Sequence, residues 1–464
     1  MTPTRTFAAH EPDLREARAL VIGLGKSGIA ASRLLSARGA HVRAADRRVA
    51  AELASAGQAL QGTGVDILAG GHPAELAEGV DLVVTSPGVP ADTPVLAAAR
   101  AAGIPVWAEV ELAFRFLQGR VIGVTGSNGK STTTSMTGTI LRAAGVRGGT
   151  GGNLGTPLSV LLEDDGPDAV HAVELSSFQL EAIETFRATV AVLVNFSPDH
   201  LDRHGSLNAY AAAKARLLET QEPGDVAVLN ADDPESRRFD AAVRGQGFSF
   251  STRGPVARGA GLEEGTLVLR GLPGRPGPEA LLPAASLPVP GEHNVANALA
   301  AGLACALAGV PGPAIARGLA GFQALPHRLQ KVGSARGVDY YDDSKATNLD
   351  ATARALASFP PGSVHLILGG KDKGADWDSL APLVRRQARR ILLVGEAAPV
   401  IRRALDGIVP VDDCGTVQAA VRAAAANARP TEVVLLAPGC ASFDQYRNFE
   451  ERGDDFVRAV AGLA

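Results

Sequence analysis

The run VIGVTGSNGKSTTT at residues 121–134 constrains the fold of this chain more than any other segment. Its first five residues are apolar and largely β-branched, which predicts a buried parallel strand. A glycine loop follows, and after it come Lys130, Ser131 and a helix-compatible stretch that extends to Arg142. A strand, a glycine loop, Lys-Ser and a helix in this order form the layout that binds the phosphates of a mononucleotide.

Each part of this layout has a chemical reason. Glycine lets the backbone approach a phosphate closely, and the N–H groups at the start of the helix bind its oxygens. Lys130 is placed to meet the outer phosphates, and Ser131 is placed to ligate Mg²⁺. The full P-loop pattern has a glycine where this chain has Val124, so the loop is a variant of that pattern. The alternative is a glycine turn beside a surface lysine.

Length and composition limit the other functions open to the chain. Its 464 residues suggest about three domains, and its net charge of −4 gives no general attraction to nucleic acid or to an anionic membrane. The three cysteines are far apart and form no metal motif, which favours a reducing cytoplasm. The apolar stretch 295–310 is rich in alanine and glycine, so we predict a buried helix and no membrane insertion.

Strand-like runs alternate with helical stretches along almost the whole chain, which is the pattern of an α/β protein. We predict three domains, with the boundaries 1–108, 109–324 and 325–464. The stretch 271–291 is rich in proline and glycine and predicts irregular or β structure. The predicted strands are Arg18–Ile22, 42–45 and 80–85 in the first domain, 121–125, 169–174, 190–195 and Val226–Asn230 in the second, and 338–341, Val364–Gly369, 391–394 and 433–437 in the third.

The first predicted strand of the chain runs into a second glycine motif, GLGKSG at 23–28. Asp46 ends the next strand, at about the distance at which an acid meets a ribose hydroxyl in a Rossmann-like nucleotide site. The segment Ser86-Pro87-Gly88 follows a later strand of the same sheet and is expected on the same rim. A tight turn without a ligand is the alternative.

Three further side chains of the second domain are candidates for chemistry. Glu174 ends an apolar run, which predicts a position at the carboxyl end of a strand beside the glycine loop, where an acid can ligate Mg²⁺. His200 follows another strand and is a candidate ligand, with a solvated loop histidine as the alternative. Lys214 lies in a probable helix, and its pattern alone predicts an ordinary exposed lysine.

Ten motifs in order carry a resemblance to the Mur ligases that covers nearly the whole chain. They are GVTGSNGKSTTT, GGNLG (151–155), ELSSFQLE (174–181), SPDHLDRHG (197–205), AAKARL (212–217), GEHNVANALAA (291–301), LPHR (325–328), DDSKATN (342–348), GGKDKGADW (369–377) and CASFDQYRNFEERG (440–453).

The resemblance implies an α/β fold of three domains. The N-terminal domain is expected to be Rossmann-like and to bind the UDP part of a substrate, the central P-loop domain to bind ATP, and the Rossmann-like C-terminal domain to bind an amino acid. SKATN, GGKDKGADW and ASFDQYRNFEERG resemble the family members that add D-glutamate to UDP-N-acetylmuramoyl-L-alanine. The implied reaction forms an acyl phosphate and releases ADP and phosphate, in peptidoglycan precursor synthesis, and the expected state is a monomer.

The resemblance also assigns residues to each ligand. For ATP they are Gly126, Ser127, Asn128, Gly129, Lys130, Ser131, Thr132, Asn297, Arg328 and Asp343. For the UDP substrate they are Gly25, Lys26, Ser27, Asp46, Arg47, Ser86, Pro87, Gly88, Asn153, Ser176, Gln179 and His200. For D-glutamate they are Thr347, Lys373, Ser442, Phe443 and Phe449, with Phe443 where the family pattern has leucine. The implied catalytic residues are Lys130, His200, Lys214 and Arg328.

Two Mg²⁺ ions belong to the implied site. Ser131 and Glu174 are expected to hold the ion between the β- and γ-phosphates. His200 and Lys214, the latter modified to a carbamate, are expected to hold the second. The rival enzyme is another amide ligase such as folylpolyglutamate synthase, whose pterin site should not need the Asp46 turn. The rival class is a nucleotide-binding switch without chemistry.

Overall fold

The computed structural model describes residues 5–197 and 199–463, with positions 201 and 202 described in the backbone only. The described chain forms two compact units. The first comprises the residues up to Ala284 together with Asn297–Leu319, and the second comprises Ala285–Ala296 together with the chain from Ala320 onward.

The strands and helices alternate as the sequence predicts. The strands are β1 Arg18–Ile22, β2 His41–Asp46, β3 Asp66–Ala69, β4 Leu82–Thr85, β5 Val106–Ala108, β6 Arg120–Thr125, β7 Thr150–Gly152, β8 Val170–Glu174, β9 Val190–Leu193, β10 Val226–Asn230, β11 Gln246–Ser251, β12 Gly259–Glu263, β13 Thr266–Arg270, β14 Glu279–Pro283, β15 Gln330–Ala335, β16 Val338–Asp342, β17 Val364–Gly369, β18 Ala388–Val394, β19 Val411–Gly415 and β20 Val433–Leu436. The helices are α1 Lys26–Ala37, α2 Ala54–Ala59, α3 Pro94–Ala101, α4 Glu109–Phe114, α5 Lys130–Ala143, α6 Leu158–Leu161, α7 Ser177–Leu180, α8 Leu201–His204, α9 Leu207–Glu219, α10 Pro234–Arg237, α11 Glu292–Leu307, α12 Gly312–Ala320, α13 Leu349–Leu356, α14 Ala381–Gln387, α15 Ala398–Leu405, α16 Val417–Asn427 and α17 Phe449–Ala461.

The first unit contains two sheets, and the N-terminal one is parallel with the order β3-β2-β1-β4-β5. The direction of strand succession reverses between β1 and β4, which is where open α/β sheets form a ligand crevice at the carboxyl ends of the strands. The turn 23–28 follows β1, and the loop 86–90 follows β4. The two segments predicted on one rim therefore lie at this reversal point.

The second sheet of the first unit has the order β14-β13-β12-β11-β10-β9-β6-β8-β7. Strand β6 pairs in parallel with β8 on one side and β9 on the other, with Val124 opposite Glu174 and Thr125 opposite Leu193. The segments that follow β6, β8 and β9 therefore emerge at the same edge. Antiparallel pairing is confined to β12, β13 and β14 at the far side of the sheet.

The sheet of the second unit has the order β15-β16-β20-β17-β18-β19 and is parallel except for the pair β15 and β16. The middle strands are almost entirely buried and apolar, as expected for parallel strands covered by helices on both faces. Loops after β16, β20 and β17 leave adjacent strands at one edge, and these loops carry most of the residues predicted to bind D-glutamate.

The predicted strands with long apolar runs are confirmed, and β1, β10 and β17 have the predicted bounds. The predicted buried helix at 295–310 falls on α11 up to Leu307, and the stretch 271–291 contains β14. The short strands β3, β5 and β7 were not predicted, because three or four residues carry too weak a pattern. The sequence analysis also missed β11, β12, β13, β15 and β19, which are five or six residues long.

Candidate active site

The glycine loop after β6 has the backbone that its sequence requires. Gly126 and Gly129 have φ angles of +144° and +85°, which side chains other than glycine rarely adopt. A Cβ at Gly129 would lie 2.3 Å from Asn297 Oδ1, so this position is also closed to larger residues by space. Helix α5 begins directly after this glycine, which aims its first N–H groups and its dipole at the loop.

Lys130 lies over the loop it follows. Its Nζ donates to the carbonyl oxygens of Gly126 at 2.9 Å and Ser127 at 2.7 Å. These bonds hold a positive charge on the concave side of the loop, where a phosphate would bind. Ser131, the other residue of the Lys-Ser pair, is buried in the first turn of α5.

The segment after β9 braces the glycine loop, and Asn195 is its main contact. The Asn128 N–H donates to Asn195 Oδ1 at 2.9 Å, and Asn195 Nδ2 donates back to the Asn128 carbonyl at 2.9 Å. The Ser127 N–H donates to the Asn195 carbonyl at 2.8 Å. Asn195 thus shapes the phosphate loop, a role that the sequence reasoning missed because asparagine at a strand end is common.

Glu174 stands at the end of β8, beside the glycine loop as predicted. Its side chain is buried, and its Oε1 accepts a hydrogen bond from Asn153 Nδ2 at 2.7 Å. Asn297 is likewise brought to the loop, where its Oδ1 accepts from Thr133 Oγ1 at 3.2 Å. The structure therefore brings Glu174, Asn153 and Asn297 to the region of the glycine loop, although they come from three distant parts of the sequence.

Lys214 is buried, with 1% of its surface exposed, so the pattern-based prediction of an exposed lysine is wrong. Its Nζ lies 4.6 Å from the centre of the Tyr210 ring. Burial lowers the pKa of Lys214 well below its ordinary value, and the Lys130 cation lowers it further, against the attraction of Asp199 and Glu174. A lysine in this setting tends to lose its proton, and a neutral amine is the form that reacts with CO₂ to give a carbamate.

His200 lies on the same rim, at the start of the short helix α8. It has a φ of +51°, which is unusual for a residue with a side chain. Its ring packs 5.0 Å from the Phe178 ring, and its Nε2 is 3.8 Å from Asp199 Oδ2. Asp199 was not predicted as a site residue. Its carboxylate lies near His200, and its charge favours the protonated form of Lys214.

The described residues contain no group of three or more His, Cys, Asp and Glu side chains placed to hold a metal ion. The predicted ligand set has only two side chains of these types, Glu174 and His200. Its other members are the Ser131 hydroxyl and a carbamate on Lys214, which would be a hard oxygen ligand of the kind that Mg²⁺ prefers. The donor chemistry and the burial of Lys214 fit Mg²⁺ once the amine is modified.

In the N-terminal sheet, Asp46 supports the glycine turn directly. Its Oδ2 accepts from the Leu24 N–H at 2.7 Å, and Arg48 donates to both of its oxygens. The bonds from Arg48 hold the pKa of Asp46 well below its usual range. The sequence reasoning named Arg47, which is exposed on the rim, and missed Arg48 as the partner of Asp46.

The other residues predicted to bind the UDP substrate lie on two nearby segments. Ser86 Oγ donates to the Gly23 carbonyl at 2.8 Å, which ties the loop with Pro87 and Gly88 to the glycine turn that holds 25–27. Ser176 caps helix α7 and accepts from the Gln179 N–H at 3.3 Å. Gln179 is buried, and its Nε2 has no hydrogen-bond partner within the described part of the chain.

The second unit carries the remaining predicted residues. Arg328 and Asp343 lie together, because the Leu329 N–H donates to Asp343 Oδ1 at 3.2 Å. Burial raises the pKa of Asp343 to about 7, against the lowering effects of that hydrogen bond and of Arg328. Ser442 is buried and Lys373 is exposed in the loop after β17.

The predicted D-glutamate residues are not equally enclosed. Phe449 begins α17, and the Lys345 ammonium lies 4.0 Å from the centre of its ring. Thr347 is partly buried just before α13. Phe443 is 67% exposed, so its side chain is not enclosed.

Arg452 holds two of these loops together. It is fully buried, and its guanidinium donates to Ser344 Oγ at 3.0 Å and to the Cys440 carbonyl at 3.1 Å. Burial lowers its pKa to about 10. Sequence reasoning missed this residue because arginine is seldom buried, and only its place within the run 440–453 hinted at a role.

Comparison with known proteins agrees with this layout. Three family models match consecutive parts of the chain: the Mur ligase MurD-like N-terminal domain at residues 17–108, the Mur ligase middle domain at 124–305, and the Mur ligase glutamate ligase domain at 327–440. The chain belongs to the Mur ligase family.

Individual relatives match over nearly the full length. The chain is 49% identical to the UDP-N-acetylmuramoylalanine--D-glutamate ligase of Anaeromyxobacter dehalogenans, covering 98% of this chain and 99% of the relative. It is 46% identical to the enzyme of the same name from Acidobacterium capsulatum, covering 97% and 98%.

Solved structures of other Mur ligases share the fold at low identity. The UDP-N-acetylmuramate-alanine ligase MurC of Thermotoga maritima superposes with a TM-score of 0.60 at 19% identity, covering 96% of this chain and all of that chain. The MurF ligase of Thermotoga maritima in complex with ADP superposes with a TM-score of 0.60 at 17% identity and 99% coverage of both chains. Within the described residues, every helix is too short or too polar to span a membrane.

Proposed function

We infer that this Mur ligase joins D-glutamate to UDP-N-acetylmuramoyl-L-alanine at the expense of ATP, in peptidoglycan precursor synthesis. The observation that carries this function is the identity of 46–49% with D-glutamate ligases over 97% or more of the chain. The match spans all three domains, so the parts of the chain that would bind the acceptor, the nucleotide and the amino acid are all covered.

The chemistry requires ATP because a carboxylate and an amine do not condense in water without activation. A carboxylate oxygen of UDP-N-acetylmuramoyl-L-alanine attacks the γ-phosphorus, and the bond from that phosphorus to ADP breaks. The product is an acyl phosphate. The amine of D-glutamate then attacks the acyl carbon, the carbon–oxygen bond to phosphate breaks, and the amine loses a proton as the amide forms.

Positive charge is the main requirement, because the carboxylate and the ATP phosphates repel each other. Lys130, held over the glycine loop, supplies one fixed charge next to the outer phosphates. Mg²⁺, when bound, supplies further charge between the two anions. We propose that Ser131 and Glu174 would hold one ion and that His200 with a Lys214 carbamate would hold the second.

We assign the acceptor to the first unit and the amino acid to the second. We assign the UDP end to the Gly25 and Ser86 rim of the N-terminal sheet, and the reacting end to Asn153, which contacts Glu174, and to Gln179 on helix α7. Buried Gln179 has no hydrogen-bond partner for its Nε2 among the described residues, so this group could donate to a substrate oxygen. Lys373 is the proposed partner of the γ-carboxylate of D-glutamate.

The remaining assignments are also proposals. Arg328 and Asp343 would contact the nucleotide, and the raised pKa of Asp343 lets it donate or accept a hydrogen bond near neutral pH. A monomeric state and a cytoplasmic location stay predictions. The three free cysteines support only the location. Size-exclusion chromatography with light scattering tests the first.

A steady-state assay tests the function against both rivals. Purified protein is mixed with ATP, Mg²⁺, UDP-N-acetylmuramoyl-L-alanine and D-glutamate, and both ADP and the amide product are measured. We expect ADP and product in equal amounts, and only when all substrates are present. ATP turnover without an acceptor would favour a nucleotide switch, and turnover with a folate acceptor and L-glutamate would favour folylpolyglutamate synthase.

A further inference from the structure

Arg203, on helix α8, bridges two parts of the first unit. Its Nη2 donates to Glu181 Oε2 at 2.6 Å, and its Nη1 donates to the Val89 carbonyl at 3.3 Å. The guanidinium also lies 4.0 Å from the centre of the Phe178 ring. One side chain thus contacts the loop after β4 in the N-terminal sheet and helix α7 beside the second sheet.

The contact at Val89 reaches the rim of the N-terminal sheet. The Val89 N–H donates to the Ser86 carbonyl at 3.0 Å, and Ser86 Oγ donates to the Gly23 carbonyl at 2.8 Å. The packing here is close, since a Cβ on Gly28 would lie 1.8 Å from the Gly23 carbonyl oxygen. A hydrogen-bonded series therefore joins the glycine turn, the Ser86 loop and Arg203.

The contact at Glu181 reaches the other end of the proposed acceptor site. Glu181 is the C-terminal cap of α7, where its N–H donates to the Ser177 carbonyl at 3.0 Å. Ser176 and Gln179, both assigned to the acceptor, cap and build the same short helix. The position of α7 therefore sets the positions of both side chains.

We propose that Arg203 is a positioning residue that fixes the distance between the two ends of the acceptor site. This rests on the proposed function, in which the UDP end binds the Ser86 rim and the reacting end binds near Gln179. A ligand that spans both ends binds more tightly when the distance between the ends is already correct before binding. UDP alone would contact one end, so its affinity should not depend on that distance.

The neighbouring His204 contacts the same helix α7. Its Nδ1 lies 3.5 Å from Glu181 Oε1, and its Nε2 is 3.0 Å from Ser177 Oγ. Burial lowers the pKa of His204, and the Arg203 cation lowers it further, against the attraction of the Glu181 carboxylate.

The test compares two ligands on four forms of the full chain: wild type, Arg203→Ala, Arg203→Lys and Arg216→Ala. Arg216 is the matched control, because its hydrogen bonds within the described part of the chain go to the Glu181 and Ile183 carbonyls, at 2.5 and 2.9 Å, and not to Val89. Calorimetry measures the affinities for UDP and for UDP-N-acetylmuramoyl-L-alanine without ATP or D-glutamate. Steady-state assays then give KM for each substrate.

Arg203→Ala should fold, because the Ala108 N–H still donates to the Ala182 carbonyl at 2.9 Å and Trp107 Nε1 still donates to Glu184 at 3.0 Å. Thermal unfolding tests whether Arg203→Ala is folded. If it is not, Arg203→Lys replaces it in the binding measurements. We expect Arg203→Ala to lower the affinity for UDP-N-acetylmuramoyl-L-alanine about tenfold, which is the scale for a partly exposed ion pair with added hydrogen bonds. The affinity for UDP should fall less than twofold.

The other variants and substrates give further expected results. Arg203→Lys should lie between wild type and Arg203→Ala, because an ammonium reaches Glu181 but lacks the fork that also reaches Val89. KM for ATP and D-glutamate and the affinities of Arg216→Ala should stay within twofold of wild type. Equal weakening of both ligands, or no weakening, would overturn the positioning role. Wild type that binds the whole acceptor no better than UDP would instead refute the proposed function, and the inference with it.

Discussion

Replacing Lys214 by Met should stabilise the protein while it removes activity. The side chain is 1% exposed and lies among groups that include another cation, Lys130, so the folded state disfavours its proton. In the unfolded chain the same lysine keeps its proton to about pH 10.5. Folding therefore costs free energy at neutral pH, and methionine has a similar shape without that cost.

The size of the effect has a ceiling. Holding an ordinary lysine deprotonated costs about 1.4 kcal/mol per pH unit below its pKa, which gives about 4 kcal/mol at pH 7.5. Asp199 and Glu174 attract the protonated form and return part of this energy. We expect Lys214→Met to gain about 2 kcal/mol, which raises the melting temperature by about 4 °C for a unit of this size.

The pH dependence of stability tests a second time whether Lys214 destabilises the folded protein. Between the lowered pKa of the folded state and pH 10.5, the unfolded state binds more protons, so the stability of wild type rises with pH. The advantage of Lys214→Met should therefore shrink from pH 7.5 to pH 9, by at most about 1.4 kcal/mol per unit. Denaturant unfolding in CO₂-free buffer, which keeps the amine unmodified, measures both values.

The opposite result would be informative. If Lys214→Met were less stable than wild type at pH 7.5, or if the difference grew with pH, Lys214 would carry a stabilising charge in the folded protein. The neutral amine needed for a carbamate would then be missing. Lys214 would have to be withdrawn from the proposed metal site.

Three further predictions concern activity. Lys130→Ala should lower kcat at least about a hundredfold in a folded protein, the scale of losing a charge stabiliser, and near-normal turnover would remove the loop from the mechanism. Lys214→Ala should lose most activity and regain part of it with added acetate, whereas acetate should not restore Lys214→Arg, because the missing group is anionic. The rate of phosphate release with and without acetate measures this rescue, and full activity of Lys214→Arg would contradict the prediction. Lys373→Ala should raise KM for D-glutamate far more than KM for ATP, with the neighbouring exposed Lys371→Ala as control; a change confined to ATP would place Lys373 in the wrong pocket.

The fold was largely predictable because parallel strands covered on both faces need long apolar runs. The runs at β6, β8 and β9 located the carboxyl edge where the glycine loop, Glu174 and the segment to His200 meet. Edge strands such as β7 pack on one side only and need just a few residues, so their pattern is too short to recognise.

The site was predictable as a set of residues and less so as a set of contacts. Lys214 sits in an alanine-rich helix whose pattern fits an exposed lysine, and only packing against neighbouring elements buries it. Asn195 and Arg452 act through contacts with residues far away in sequence, Asn128 and Ser344. Arg48 contacts its near neighbour Asp46 and also the distant Leu24 carbonyl. Side chains of this kind gain their roles from tertiary structure, which local pattern does not contain.

The central claim is that ATP activates the carboxylate of the acceptor before D-glutamate attacks. The direct measurement uses UDP-N-acetylmuramoyl-L-alanine labelled with ¹⁸O in its carboxylate, turned over with ATP and D-glutamate, with mass analysis of the phosphate released. The mechanism predicts one labelled oxygen in each phosphate, because the bridging oxygen of the acyl phosphate leaves with phosphorus. Phosphate that carries no label while the amide forms would contradict the account.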